Sequence, residues 1–287
     1  MKSIVFFTRD ISPEGVLKIY KALNADLTGR VAVKVHSGEK GNQNFLRPDF
    51  WQLLMEYVGG TIVECNTAYE GMRNVTDKHI QLMKEHGWSE FYDVDIMDAE
   101  GPDLVLDIDN GKRIKKNYVG KNITNYDSLL VLSHFKGHPM GGFGGALKQL
   151  SIGIASSYGK AYIHGGGDTS DYWETEQDIF LESMADAAAS VVKFFNGKAA
   201  YINVMKNMSV DCDCCAVAED PCMKDIGVLA SFDPVAIDKA CIDLVYASDD
   251  PGRDHLIERI ESLNGILTVN ASAALEVGSL EYELIEI

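Results

Sequence analysis

Short apolar runs alternate with amphipathic ones along almost the whole of this 287-residue chain, and that alternation leaves it few architectures. SIVFF reads as a strand, PEGVLKIYKAL as a helix opened by Pro13, and RVAVKVHSG as a second strand breaking at Gly38, which makes a β-α-β unit. PDFWQLLMEYVG then reads as a helix starting at Pro48, TIVECN as a strand, and TDKHIQLMKEHG as a helix capped by Thr76 and ended by Gly87. YDVDIMDAE and SLLVLSHFKGH are strands, with the hairpin PDLVLDIDNGKRIKKNYVG between them turning around Asp109, Asn110 and Gly111. The run from Asp178 to Phe195 is the longest clear helix, and AAYINVM follows it as a buried strand. DIGVLAS reads as a strand, DPVAIDKACIDLVYAS and DHLIERIESLNG as helices, and LEYELIEI as the closing strand. Parallel strands need crossovers, and crossovers lay helices on both faces of a sheet. The expected fold is therefore α/β, a mostly parallel sheet covered by helices with a small hairpin. No linker, repeat or low-complexity tract divides the chain, so residues 1–287 are expected to form a single α/β domain.

Lys and Arg number 26 against 43 Asp and Glu, a net charge of −17 that repels phosphate backbones and anionic lipid. Nucleic acid and membrane are thereby excluded as expected partners. MKSIVFF is followed at once by Arg9 and Asp10, so it reads as a first strand and not as a signal, and no apolar stretch approaches the roughly 18 residues a span needs. Cys65 and Cys241 sit in apolar contexts typical of buried thiols. A cytoplasmic setting with reduced cysteines follows.

The chemistry concentrates in three places. Directly after SLLVLS, the loop HFKGHPMGGFGGALKQLSIG carries His134, Lys136 and His138 beside Gly141, Gly142, Gly144 and Gly145, where open α/β sheets bind ligands. It is neither a dinucleotide fingerprint nor a P-loop. The glycines would let backbone N–H groups approach an anion at the start of the helix ALKQL, Lys136 would hold an anionic group, and one imidazole would transfer a proton. A second segment, SSYGKAYIHGGGDTSDYWE, brings Lys160 and His164 and reads as an irregular surface excursion or a lid that completes the pocket. The third place is DCDCCAVAEDPC, which holds four of the six cysteines: Cys212, Cys214, Cys215 and Cys222. Thiols crowded by the backbone serve a metal, a cluster or a redox couple, although the spacing is neither a CxxC knuckle nor CxxCxxCxxxCP. Metal or cluster binding, a redox pair and inert cysteines all stay open here, and Asp211, Asp213, Glu219 and Asp220 add hard oxygens beside the thiols. In SFDPVAIDKACIDLV, Ser231 or Asp233 caps a helix, or Asp233 and Asp238 form an acidic wall that contributes to ligand binding.

Taken in order, LLVLSHFKGHPMGGFGGALKQLSIG, SSYGKAYIHG, DCDC and DIGVLASFDPVAIDKACIDLV resemble domain-of-unknown-function family 362, from VAVKVHSGEKG to the helix containing Asp238. The resemblance implies a cytosolic α/β protein. Many members carry a ferredoxin insert with two CxxCxxCxxxCP runs and are described as iron-sulfur proteins, whereas this chain runs from His164 straight into its long helix. The residues shared by resemblance are His134, Lys136, His138 and Lys148, the Cys212 and Cys214 pair, and Asp233 with Asp238; Cys215 and Cys222 lie outside the shared pattern.

The leading expectation is a metal- or iron-sulfur-linked, redox-type enzyme, with an iron-sulfur cluster or zinc as cofactor, a small anionic molecule as ligand and a redox partner. Against it stand a non-catalytic module for a small anion and a thiol redox protein without metal. The first reading requires that the histidine and cysteine loops meet at one rim of the sheet.

Overall fold

In the computed structural model, which describes residues 2–287, β1 (Ser3–Thr8) leads into α1 (Pro13–Leu23). The Ser12 side chain caps that helix by accepting the Gly15 N–H, and Pro13 occupies the first turn, where its missing N–H costs nothing. There follow β2 (Val31–Lys34), α2 (Gln52–Val58), β3 (Thr61–Glu64), α3 (Thr76–Glu85), α4 (Trp88–Phe91) and β4 (Val94–Ile96). Next come β5 (Leu104–Asp107), β6 (Lys116–Val119), β7 (Ser128–His134), β8 (Lys136–His138), β9 (Gly142–Gly144) and α5 (Ala146–Lys148), the last running into a π turn over Gln149–Gly153. The remainder is α6 (Ser157–His164), α7 (Gln177–Phe195), β10 (Ala199–Met205), β11 (Gly227–Ser231), α8 (Pro234–Ala247), α9 (Arg253–Ser262), α10 (Ile266–Ala274) and β12 (Tyr282–Glu286).

The expected α/β fold is the one observed. Eight strands form one sheet in the order β12-β1-β11-β10-β7-β2-β3-β4. Every neighbouring pair is parallel except the two that β11 makes, with β1 and with β10. β5 and β6 form the expected antiparallel hairpin, and β8 pairs with β9 in a second small one. Both faces of the sheet are buried, which is why its central strands read as unbroken apolar runs. Leu129 and Val131 pack with α5, α8 and part of α7 on one side, and Leu130 and Leu132 pack with α1, α2 and α3 on the other.

Local departures from the sequence reading have local causes. Thr76 does not cap α3: the cap position is Val75, without a side-chain bond, and the Thr76 hydroxyl accepts from Asn66 Nδ2. The first half of the segment read as a surface excursion is the helix α6, capped by Ser156 accepting the Gly159 N–H, with Lys160 and His164 buried, while the stretch 165–174 is irregular. α10 lies in a stretch to which the apolar pattern gave no element. Among the described residues no helix is long and apolar enough to cross a membrane.

Candidate metal centre and its cavity

β2, β3, β7 and β10 run in the same direction, so their carboxyl ends share one edge of the sheet. His134 closes β7, Lys136 and His138 follow it on β8, and the cysteine loop leaves the end of β10 beside them. Asp213 joins the two loops. Its carboxylate accepts from Lys136 Nζ at 2.7 Å and from His134 Nδ1 at 2.9 Å, while His134 Nε2 donates to the Lys206 carbonyl at 2.6 Å. Both nitrogens of His134 thus face oxygens that accept. Burial alone would raise the Asp213 carboxyl, but His134 and Lys136 outweigh it and hold the group ionised far below the usual carboxylate range. The backbones meet closely as well: Gly137 N–H donates to Ser209 O at 2.8 Å, and a Cβ on Gly137 would lie 2.3 Å from Val210 O. From the far side Asn42 Nδ2 donates to Cys215 O at 2.8 Å, and Asn44 Nδ2 to Glu219 O at 2.8 Å.

With Asp213 anchored, the cysteines on either side of it turn toward His138. A ring nitrogen of His138 and the sulfurs of Cys212 and Cys214 all lie within 4.8 Å of one another, a group of donors that could hold a metal ion. His138 Nδ1 accepts the N–H groups of Met140 and Gly141 at 3.0 and 2.9 Å, so the proton of the neutral ring sits on Nε2, 3.7 Å from Cys214 Sγ. Burial, reinforced by Lys148, lowers His138 to about 4 and keeps it neutral. Burial, with the hydrogen bond to Cys214, pushes the Cys212 thiol up to about 11. Without a positive partner in contact these thiols keep their protons.

The group forms part of the wall of a cavity of about 280 Å³. Its buried side holds Lys34, Glu64 and Cys65, each no more than 3% exposed, and Trp173, 43% exposed, lies toward solvent. α5 contributes Lys148 and α6 contributes Lys160 and His164. Among the described residues neither Lys148 nor Lys160 has a carboxylate within 4 Å; Lys160 Nζ donates to Ala155 O at 2.5 Å. His164 stacks on Phe180 at 4.3 Å, its Nδ1 is buried without a hydrogen-bond partner among the described residues, and burial beside two lysines lowers it to about 3. In a chain of charge −17, this hollow gathers Lys34, Lys148 and Lys160.

The family described as "Domain of unknown function (DUF362)" matches residues 31–243. The chain belongs to DUF362. No curated protein matches it. Among solved structures it is similar to the lactate racemase apoprotein from Thermoanaerobacterium thermosaccharolyticum, at 18% identity and TM-score 0.44 over 69% of this chain and 50% of that one. It is also similar to a Thermotoga maritima protein from the Northeast Structural Genomics Consortium, at 12% identity and TM-score 0.46 over 82% of this chain and 58% of that one. The chain spans about half the length of these two structures.

The matched DUF362 segment contains every side chain of the cavity named above, and the contacts around that cavity show which expected site residues serve elsewhere. Lys136 does hold an anion, but that anion is Asp213 of the same chain. The helix start after Gly145 is likewise filled from within, because the Asp238 carboxylate accepts the Ala146 and Leu147 N–H groups at 2.8 and 2.9 Å. Gly144 and Gly145 line the cavity, whereas Gly141 serves His138, and Gly142 packs so tightly on Gly265 that a Cβ there would sit 2.9 Å from its Cα. Cys215 is half-buried and its sulfur lies outside the three-donor group; Cys222 donates its thiol to Met208 O at 3.2 Å. Asp233 caps α8 through the Val235 and Ala236 N–H groups and accepts from the Ser3 hydroxyl and the Ser279 N–H, which leaves it no place in the cavity. Asp211 pairs with Arg259 at 3.3 Å. Among the residues that escaped the sequence reading are Lys34, Glu64, Arg73 and Asn42. Lys34 and Glu64 are charged residues closing buried strands, which is the one signal that singles them out.

Proposed function

We propose that this protein is a metal-dependent enzyme in which the thiolates of Cys212 and Cys214 hold one soft divalent ion, zinc in the first instance, on the wall of a cationic cavity that takes a small anionic substrate. The observation that carries this reading is the convergence of two sulfurs and an imidazole within 4.8 Å, on the same cavity as two lysines without carboxylate partners. A four-thiolate iron-sulfur cluster finds less support, because Cys215 and Cys222 lie outside the three-donor group and the Cys222 thiol donates to Met208 O. A redox couple of free thiols also finds less support, since burial holds Cys212 protonated and a protonated thiol attacks poorly.

The ion, when bound, supplies Lewis acidity toward a carbonyl or a more acidic water. The chain's own residues do the rest. Lys148 and Lys160 bind the substrate's negative charge, Asp213 fixes the loop that presents both thiols, and His164, held by its stack on Phe180, forms part of the wall. His138 has one of two parts. It is the third ligand if Nε2 gives up its proton, and it is an N–H donor to Cys214 sulfur if it does not; His138→Gln, which keeps a donor but lacks a strong ligand, separates these by retaining or losing the ion. Six free cysteines, two of them needed as thiolates, support a reducing compartment such as the cytoplasm.

Elemental analysis of protein purified with zinc in the buffer tests the reading. One zinc per chain is expected, falling below about a tenth in Cys212→Ser and Cys214→Ser, as a structural-type thiolate site requires. Zinc-free wild-type protein that takes up none on dialysis overturns it and leaves the anion-binding module standing.

A further inference from the structure

We propose that Lys34 is a reactive amine that forms an imine with the carbonyl carbon of a small oxo acid bound in the cavity. Lys34 ends β2, between β3 and β7 near the middle of the sheet, and is 2% exposed while lining the cavity. A lysine buried to that degree is ordinarily locked against a carboxylate. This one is not: its nitrogen donates to the neighbouring Val35 carbonyl, and its one carboxylate neighbour, Glu64, stands 3.9 Å away and bonds instead to Ser37 and His79. The opposite wall is kept bare for it. Gly153 closes the π turn, and a Cβ there would lie 2.7 Å from Lys34 Cε, 3.2 Å from Nζ and 2.6 Å from Gln149 Oε1. π turns are uncommon and gather at functional sites.

The surroundings favour the neutral amine. Burial, only partly offset by Glu64 and reinforced by the charge of Lys160, brings Lys34 down to about 8. Lys160 reaches the same cavity from α6 with no carboxylate of its own within 4 Å, which fits it to hold the carboxylate of an oxo acid whose carbonyl meets Lys34. The atoms balance without an oxidant: the amine nitrogen bonds to the carbonyl carbon, the carbonyl oxygen leaves as water, and both hydrogens of that water come from the nitrogen.

The inference shares with the proposed function the cationic cavity, but not the metal, so the two fail separately. Wild-type protein is incubated with glyoxylate, the smallest anionic carbonyl, and cyanoborohydride, which supplies hydride to trap an imine as a secondary amine; peptide mapping by mass spectrometry then locates the adduct. Lys34 should be labelled ahead of every other lysine, faster as pH rises from 6 toward 8, and more slowly in Lys160→Gln. Wild-type protein stripped of metal with a chelator should be labelled as the untreated protein is. An adduct absent from Lys34, or formed there no faster than on surface lysines, overturns the proposal, and the wild-type map decides this without any variant that must fold.

Discussion

Asp213 is the residue on which the site's geometry turns, because it is the one group that both His134 and Lys136 contact and it lies between the two converging thiols. Asp213→Asn leaves the buried Lys136 ammonium without its counter-charge, a change that costs about 3–5 kcal/mol. Denaturant titration at pH 7 should show that loss. The pH dependence has a definite sign. A carboxyl held below its unfolded value stabilises the fold fully above the unfolded range, near about pH 4, and loses that contribution as pH falls toward the folded value. Wild type should therefore weaken between about pH 4 and pH 2 more steeply than Asp213→Asn; parallel curves would contradict the pairing. Zinc affinity changes in the same direction, at higher pH. Cys212, pushed up to about 11, has to shed a proton to ligate, so affinity should rise by up to about tenfold per pH unit for each thiol between pH 6 and 8, measured by competition with a chelator. At this scale the sequence was legible where residue type itself implies chemistry, as with His138, Cys212 and Cys214. It was not legible where chemistry arises from pairing across the fold, as between Asp213 and Lys136, or between Arg73 and Glu39 at 3.2 Å.

Two backbones approach where β8 meets the cysteine loop, and Gly137 is what permits it. Gly137→Ala forces a Cβ against Val210 O, so the loop must move at a cost of about 1–3 kcal/mol, and zinc should be lost with the register of the thiols while the sheet stays folded. Thermal unfolding together with metal content checks both halves of that outcome. α6 is the element the sequence misread, and the reason is physical: its buried face is Gly159, Lys160, Ile163 and His164, so helical periodicity is carried by polar residues and a hydrophobic pattern cannot register it. As a packed helix, its amides from 160 to 165 should resist hydrogen exchange for minutes or longer, whereas a mobile lid would exchange within seconds. α1 and α8 were legible because apolar periodicity and caps agreed in each, and α7 because its apolar periodicity is long and unbroken. The Asp233 cap belongs with them, and a side chain bonded to four groups of the scaffold is not free to serve a ligand.

At the scale of the molecule, the site follows from strand direction. Seven strands run one way and β11 alone runs back, so loops far apart in sequence, after β2, β3, β7 and β10, are delivered to a single edge. The alternation of strands and helices makes that edge readable in advance. The order of strands within it is not, since order depends on which faces pack, and no local pattern records that the loop carrying Cys212 lies beside the one carrying His138. Nor does composition show that a chain of charge −17 gathers Lys34, Lys148 and Lys160 around one hollow. The account's central claim is that Cys212 and Cys214 jointly ligate one ion at this edge, and titration with cobalt(II) under anaerobic conditions tests it most directly. The expected result is a near-ultraviolet thiolate-to-cobalt charge-transfer band that saturates at one equivalent, is displaced by zinc, and is absent from Cys212→Ser and Cys214→Ser while Cys222→Ser retains it. A wild-type spectrum with no such band, or a band that survives loss of both thiols, would contradict it.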